Sequence, residues 1–235
     1  MSKTLTIPAL NGIDLDIFKG EFLAITGHSG SGKSTLLNLI GILDNPTSGE
    51  IYFAGHEVHN LSEKQKVELR LNAISFVFQF FNLIDNYTAA ENINFQLLLQ
   101  GCPGREAKRK TEEIIDFLGL NDRAGSFPHE LSGGEQQRVA IGRALAKDSL
   151  VILADEPTAH LDSANSVSTI RLLHDINKKF GRTVVLVTHE EGEANHADRN
   201  VMMRDGKVER IVDMRSIAPP ASVISPSSVG QLIGA

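Results

Sequence analysis

The chain has 235 residues, 41% of them hydrophobic, which is enough for a sizeable core in one or two domains. Its formal net charge of −6 argues against nucleic acid as the main partner, because binding to a phosphate backbone relies on clustered Lys and Arg. The single cysteine, Cys102, excludes an intrachain disulfide and fits a reducing compartment. The first residues lack the apolar run of a signal peptide, and no stretch reaches about 18 uninterrupted apolar residues. We therefore expect other subunits to supply any membrane-spanning part.

Strand-like and helix-like segments alternate along the chain, which predicts an α/β fold with a largely parallel sheet. Buried strands are predicted at residues 21–26, 74–78, 150–154 and 183–187, a short strand at 51–54, and helices at 33–43, 62–72 and 163–180. Residues 88–147 are mostly helical in pattern and indicate a helical insertion. Residues 200–203 and 207–212 flank Asp205 and Gly206, the signal of a hairpin.

A glycine-rich loop separates the first predicted strand from the first predicted helix. It fits the pattern G-x-x-x-x-G-K-[ST] and consists of Gly27, His28, Ser29, Gly30, Ser31, Gly32, Lys33, Ser34 and Thr35. The glycines let backbone N–H groups point inward at phosphates. We expect Lys33 to reach the β- and γ-phosphates of a nucleotide and the Ser34 hydroxyl to ligate Mg²⁺. A Gly/Ser-rich linker is the alternative, but a linker would not be flanked by buried apolar elements.

The predicted strand at 150–154 ends in two acids, Asp155 and Glu156. An acid at the carboxyl end of a buried strand faces the crevice where α/β sheets bind ligands. Asp155 is therefore expected to hold Mg²⁺ opposite Ser34, and Glu156 to take a proton from an attacking water. The alternative is a pair of acids that merely end a strand.

A second candidate phosphate-binding element lies at residues 131–138, which read LSGGEQQR. Ser132 followed by Glu135 has the spacing of a capping box at a helix start. Gly133 and Gly134 leave the first-turn N–H groups uncovered, which suits an anion. Taken alone, the segment is an ordinary capped helix; beside the loop at 27–34 it indicates a second surface for phosphate.

Two single residues follow buried strands. Gln79 comes after the strand at 74–78, and its side chain can reach Mg²⁺ or water while its backbone acts as a hinge. His189 comes after the strand at 183–187, where a neutral imidazole can hydrogen-bond a γ-phosphate or the attacking water. Either residue alone would be an ordinary surface residue.

Taken together, these motifs resemble the ATP-binding cassette (ABC) family over residues 5–213. The resemblance implies a RecA-like P-loop NTPase core (about 1–79 and 150–214), an antiparallel β subdomain and an inserted helical subdomain (about 80–149). It makes residues 27–34 the Walker A loop, 150–155 Walker B, Gln79 the Q-loop residue, 131–135 the signature and His189 the switch histidine. It also places Asp162 in a D-loop around Leu161, with Ser34, Gln79 and Asp155 around Mg²⁺.

The family likeness further implies a head-to-tail dimer that holds two ATP molecules, each between the Walker A loop of one copy and the signature of the other. The segments 78–83 and 61–63 look like the subgroup that serves macrolide exporters and lipoprotein-releasing complexes. The function expected is therefore that of an ATP-hydrolysing subunit that drives transmembrane permease subunits at the cytoplasmic face of the inner membrane. A non-transport ABC ATPase of DNA repair or translation is the alternative, and a regulator that binds ATP without cleaving it is a third.

The sequence departs from the family pattern in three places. His160 occupies a D-loop position where the family usually has a small residue. Residues 1–17 hold no aromatic residue to stack on adenine, from which we expect weak binding and poor discrimination between ATP and GTP, unless the protein begins further upstream. Residues 216–235 match no motif and are expected to form a flexible tail.

Overall fold

A six-stranded sheet lies at the centre of the protein in a computed structural model, in which residues 8–214 are described. The strands are β1 (Phe22–Thr26), β2 (Tyr52–Phe53), β3 (His56–Glu57), β4 (Ile74–Val77), β5 (Val151–Asp155), β6 (Thr183–Thr188), β7 (Arg199–Arg204) and β8 (Lys207–Asp213). The large sheet has the order β4-β5-β6-β1-β7-β8. All its neighbouring strands are parallel except β7 and β8, which form an antiparallel hairpin.

The helices are α1 (Lys33–Ile40), α2 (Glu63–Asn72), α3 (Ala89–Leu99), α4 (Gly104–Phe117), α5 (Gly133–Ala146), α6 (Ser163–Phe180) and α7 (Glu191–Ala194). They lie on both faces of the sheet, so the central strands are apolar throughout rather than alternating. In β1, Leu23 and Ile25 pack into the core on the side of α1 and α2, whereas Phe22 and Ala24 pack on the side of α5 and α6. Each fully buried Leu, Ile or Phe side chain contributes about 1.5–3 kcal/mol.

Helix α1 ends three residues before the predicted end. Gly41 lies so close to the Phe76 ring that a Cβ there would collide with it, and Ile42 has a left-handed backbone (φ 57°). The chain must therefore leave the helical path after Ile40. The predicted helix at 62–72 begins one residue later, because Ser62 is its N-cap and forms a capping box with Gln65.

The helical insertion has a core of its own, in which α3, α4 and α5 pack together. Ile93, Leu97, Ile115, Leu118 and Val139 are buried in this cluster. The outer face of α4 is charged and carries exposed ion pairs at i,i+4 spacing, for example Arg109 with Glu113. A separate apolar cluster indicates a helical subdomain, which α5 joins to the sheet through Ile141 and Ala144.

The antiparallel β subdomain is small within residues 8–214. The predicted strand at 51–54 is only half of a hairpin: β2 and β3 pair across a two-residue turn in which Ala54 (φ 50°) and Gly55 (φ 83°) are left-handed. The hairpin predicted around Asp205 and Gly206 is present as β7–β8. The short helix α7 had no sequence signal. The expected tail at 216–235 and the first seven residues of the predicted core lie outside the described residues.

Candidate functional site

Four loops that carry the predicted site residues leave the sheet at one edge. They follow β4, β5, β6 and β1, which are adjacent and parallel in that order. Register fixes their neighbours: Val77 pairs with Ala154, Asp155 with Val187, and Thr26 with Thr188. Gln79, Asp155, His189 and Gly27 therefore come to the same edge from segments that are far apart in sequence.

The phosphate-binding loop is shaped by close backbone approaches that only glycine allows. A Cβ on Gly27 would collide with the Met203 carbonyl, and one on Gly32 would come within 2.6 Å of the Ala9 carbonyl. Gly32 is also left-handed (φ 99°) and is the N-cap of α1, with no side chain capping the helix. The first-turn N–H groups of α1 are thus left for an external anion.

Two further observations in this loop fit a bound phosphate. Ser31 is buried, and among the described residues its hydroxyl has no hydrogen-bond partner. Lys33 is only 5% exposed, and its Nζ donates to the carbonyls of Gly27 (2.9 Å) and His28 (3.0 Å). An ammonium has three N–H donors, so one remains beyond these two for a phosphate oxygen. His28, Ser29 and Gly30 form the exposed tip of the loop, and Thr35 lies half-buried in the first turn of α1.

The predicted metal-binding oxygens of β5 and α1 lie together. The Ser34 hydroxyl donates to Asp155 Oδ1 at 3.2 Å. The pKa of Asp155 is raised by burial and by the Glu156 carboxylate, against the opposing effects of the Ser34 hydrogen bond and Lys33. A carboxylate whose charge is unfavourably buried gains from a cation, and hydroxyl and carboxylate oxygens are ligands that Mg²⁺ prefers. These residues therefore fit Mg²⁺.

The candidate base and the switch histidine are close to each other. Glu156 follows β5 with a left-handed backbone (φ 43°), and its amide donates to the Val187 carbonyl at 2.9 Å. His189 Nδ1 lies 3.4 Å from Glu156 Oε2, and His189 Nε2 lies 3.5 Å from Glu190 Oε1. Both side chains are partly exposed, so a reacting molecule can reach them. A non-glycine residue held in this backbone region is a strained conformation of the kind that clusters at active sites.

Gln79 lies two residues past β4, and its Nε2 contacts His160 Nε2 at 3.3 Å. The chain beyond it is held in an unusual shape, with Phe81 (φ 35°) and Asn82 (φ 51°) both left-handed. Arg143 of α5 donates to the carbonyls of these two residues, at 3.3 Å and 2.7 Å. Its guanidinium is partly buried, and burial lowers its pKa. Arg143, which no sequence motif singled out, thus joins the signature helix to the segment after Gln79.

The structure does not bring the signature residues to the phosphate-binding loop. Ser132 is the N-cap of α5, and the expected capping box is present, with Ser132 N donating to Glu135 Oε2 at 2.7 Å. The Ser132 backbone and hydroxyl bonds, together with Arg123, lower the pKa of Glu135. Among residues 8–214, no hydrogen bond joins 131–135 to 27–35.

The neighbours of the signature glycines are in the D-loop region. A Cβ on Gly133 would lie 3.4 Å from the Leu161 side chain, which is an ordinary contact distance. A Cβ on Gly134 would collide with the Asn165 side chain. Asp162 is the N-cap of α6 and accepts from Asn165 N (2.9 Å) and Asn165 Nδ2 (2.7 Å), which lowers its pKa. Signature and D-loop thus pack together, away from their own chain's phosphate-binding loop.

Glu193 of α7 is a second residue that sequence patterns missed. Its carboxylate accepts from the hydroxyls of Thr158 and Thr188, each at 2.6 Å. The Thr188 hydroxyl in turn accepts from the backbone N–H of Glu190 at 3.0 Å. Glu193 therefore ties the segment after Glu156 to the segment that carries His189. The two threonines lie 35 and 5 residues before Glu193 in sequence. Neither separation belongs to a recognised motif, so no sequence pattern predicts this contact.

A glycine-rich loop between strand and helix, a buried lysine in it, and acids at a neighbouring strand end define a P-loop nucleotide-binding protein. A family model described as ABC transporter matches residues 10–159. The chain belongs to the ABC transporter family, as the resemblance of its motifs led us to expect. The predicted fold class, the ATPase activity and the ligands ATP and Mg²⁺ are confirmed by this membership.

Curated relatives are similar over most of the chain. The lipoprotein-releasing system ATP-binding protein LolD of Bacteroides fragilis is 45% identical over 203 residues, 86% of this chain and 94% of that protein. The macrolide export ATP-binding/permease protein MacB of Marinobacter nauticus is 43% identical over 219 residues, 93% of this chain but 34% of that protein. The expected likeness to the macrolide-export and lipoprotein-releasing subgroup is thus confirmed.

A solved structure agrees with this likeness. The ATP-binding cassette MJ0796, in a dimeric post-hydrolysis state with ADP and Pi, superposes with a TM-score of 0.81 at 42% identity, covering 89% of this chain and 92% of that one. In the part of this chain that the structure describes, no helix is long and apolar enough to cross a membrane.

Proposed function

We propose that this chain is the ATP-hydrolysing subunit of an export or lipoprotein-releasing ABC transporter, with the predicted residues in their expected roles. The observation that carries the proposal is the arrangement of side chains at the carboxyl edge of the sheet. There the Ser34 hydroxyl donates a hydrogen bond to Asp155, and the Glu156 carboxylate lies next to the His189 imidazole. Residues 27–35 hold the phosphates, and Ser34, Asp155 and Gln79 supply the oxygens around the metal. Mg²⁺, when bound, neutralises charge on the phosphate oxygens.

The chemistry proposed is phosphoryl transfer to water. Lys33 and the N–H groups of α1 stabilise charge on the phosphates as the γ-phosphate leaves. Glu156 orients the attacking water and accepts its proton. His189, 3.4 Å from Glu156, holds the water or the γ-phosphate in line by hydrogen bonding.

We propose that a second copy of the chain completes each site. The first turn of α5 begins with two glycines, which leave its N–H groups accessible to an anion. This turn packs beside the D-loop of its own chain and not beside the phosphate-binding loop of its own chain. In a head-to-tail pair, Ser132, Gly133, Gly134 and Glu135 would close over the nucleotide of the partner, with Asp162 at the seam. The dimer of the MJ0796 cassette supports this arrangement.

The remaining partners and the location follow from the relatives. LolD is named as the ATP-binding protein of a lipoprotein-releasing system, and MacB carries ATP-binding and permease parts in one protein. We propose that transmembrane permease subunits bind this chain beside Gln79, at the cytoplasmic face of the inner membrane. Residues 80–149 would serve as the helical subdomain that moves against a core of residues 1–79 and 150–214.

The test is ATP turnover by the purified chain and by Glu156→Gln. Loss of the base should lower kcat by about a hundredfold or more while ATP binding persists, because the phosphate contacts are unchanged. The variant should then accumulate as an ATP-dependent dimer, seen at doubled mass by size-exclusion chromatography with light scattering.

Lys33→Ala is the matched control, because it should weaken nucleotide binding itself and give no dimer. Turnover by Glu156→Gln at the rate of the unmodified chain would remove Glu156 from its proposed role. A chain without measurable ATP binding would contradict the proposed function as a whole.

A further inference from the structure

His160 makes two contacts with the segment around Gln79, although 81 residues separate it from Gln79 in sequence. Its Nε2 lies 3.3 Å from Gln79 Nε2. Its ring also packs on the Phe80 ring, with centroids 4.7 Å apart and planes inclined by 37°. Phe80 is 67% exposed even with this contact, so the imidazole covers only part of its ring. The histidine that departs from the family pattern is therefore a bridge between the D-loop and the Q-loop of one chain.

With Nε2 of His160 as the acceptor, the contact turns the amide nitrogen of Gln79 toward the ring and the amide oxygen away from it. A carboxamide has an N–H₂ donor at one end and an oxygen acceptor at the other, and Mg²⁺ is ligated only by the oxygen. A neutral imidazole with its proton on Nδ1 presents Nε2 as an acceptor, so it pairs with the amide nitrogen. The amide oxygen is then the atom left for a ligand.

The place of Gln79 in the sheet makes this orientation relevant. Gln79 follows Val77, which pairs in register with Ala154, and Ala154 precedes Asp155. The carboxamide thus leaves the sheet beside the strand end that carries the Ser34–Asp155 pair.

We propose that His160 is a positioning residue that holds the Gln79 carboxamide with its oxygen available to the metal of the nucleotide site. The inference rests on the proposed function, in which Gln79 is one of the metal ligands. The imidazole acceptor fixes the orientation of the amide, and the ring contact with Phe80 fixes the imidazole. Outer contacts of this kind commonly set metal affinity by orienting the ligand they touch.

Two substitutions separate the acceptor from the ring. His160→Gln places an amide oxygen near the position of Nε2 and so retains an acceptor without a ring. His160→Phe retains a ring against Phe80 without an acceptor. His160→Ala removes both. His160 is exposed, so none of the three is expected to unfold the chain, and thermal unfolding of each checks this.

The measurement is Mn²⁺ binding in the presence of ATP, followed by electron paramagnetic resonance in full-length chains that also carry Glu156→Gln. We expect His160→Gln to bind Mn²⁺ within about twofold of the parent, and His160→Phe and His160→Ala to bind it about three- to tenfold more weakly. In chains with Glu156 intact, the Mg²⁺ concentration for half-maximal ATPase activity should shift in the same order at saturating ATP.

Unchanged Mn²⁺ affinity in His160→Phe would overturn the proposal, as would equal weakening in His160→Gln and His160→Phe. If the unmodified chain hydrolyses ATP but the His160 variants all bind Mn²⁺ equally, the inference fails while the proposed function stands. If the chain binds Mn²⁺ and ATP but does not hydrolyse ATP, the proposed function fails while the binding measurement still tests His160.

Discussion

The carboxyl edge of the sheet and the first turn of α5 are the two surfaces proposed to receive phosphate, and they are fixed in different ways. At the sheet edge, strand register places Gly27, Asp155 and His189 side by side, whatever the surrounding helices do. The first turn of α5 lies beside the D-loop, and its helix packs both on the sheet, through Ile141 and Ala144, and in the helical cluster with α3 and α4. One surface is therefore fixed by strand register, and the other by the packing of a single helix between two apolar clusters. In the proposed head-to-tail pair, the first surface holds the nucleotide of its own chain and the second covers the nucleotide of the partner.

The sharpest test of this division is complementation between two inactive chains. Lys33→Ala disables the phosphate-binding loop, and Ser132→Arg blocks the signature turn with a bulky side chain. Each chain alone should be inactive, because every site in its homodimer contains one disabled surface. In a heterodimer, one of the two sites combines the intact loop of one chain with the intact signature of the other.

An equal mixture should recover up to about a quarter of the parent ATPase rate, since half of the dimers are mixed and half of their sites are intact. The measurement is steady-state phosphate release across mixing ratios, with differently tagged chains to show that heterodimers form. Zero recovery in verified heterodimers would contradict the head-to-tail arrangement.

A smaller effect is expected at Glu193, which tests how firmly the sheet edge is braced. Glu193→Ala removes the acceptor shared by Thr158 and Thr188, so Glu156 and His189 lose the link between their segments. We expect kcat to fall by about tenfold with KM for ATP within about twofold, because phosphate binding lies elsewhere. Steady-state kinetics measure both constants.

Glu191→Ala, on the exposed face of the same short helix, is the matched control and should behave like the parent. Equal losses in the two variants would mean that α7 matters for folding only. A rise in KM alone would place Glu193 in nucleotide binding rather than in bracing.

The smallest effect concerns Lys147, at the joint between the two regions. Lys147 is the C-cap of α5, and its Nζ donates to the carbonyls of Arg70 and Ile74, beside the core sheet. Burial lowers its pKa from 10.5 to about 8. Between these two values the unfolded chain binds the proton more tightly, so the free energy of unfolding should rise with pH in this window.

Relative to Lys147→Met, the parent should gain about 1 kcal/mol of stability between pH 7.5 and 9.5, a figure reduced for the partial exposure of the side chain. Urea denaturation of both chains at the two pH values gives the difference. The same pH dependence in both chains would show that Lys147 titrates normally in the fold. A neutral amine retains two N–H donors, so both carbonyl contacts survive the change.

The sequence predicted the large-sheet strands to within about two residues because buried strands leave apolar runs bounded by glycine or acids. It also predicted α6 at its observed bounds. It missed α7, which is too short to show a period, and it saw only one strand of the β2–β3 hairpin. The apolar pattern predicts an end for α1 at residue 43, three residues beyond its observed end at Ile40. The local pattern does not show that the Phe76 ring, from a distant strand, confines Gly41.

The candidate site divides in the same way. Residues 27–35, Asp155 and Glu156 stand in local motifs, so spacing alone could identify them. The link from Glu193 to two threonines and the contact from His160 to Gln79 depend on how the strands are ordered, which no local pattern encodes. The sequence could mark His160 as unusual, but the proposed role rests on its position beside Gln79 and Phe80.

The capping box at Ser132 has a consequence for the entropic cost of forming the proposed dimer. Its reciprocal bonds with Glu135 form within one chain, so the first turn of α5 is ordered before any partner arrives. Docking then loses rigid-body freedom but little backbone freedom, which separates it from binding by a segment that must fold on contact. Two such preformed faces can meet and part many times at low entropic cost. Reversible association of this kind suits a subunit whose proposed dimer forms and dissociates once in each cycle of ATP hydrolysis.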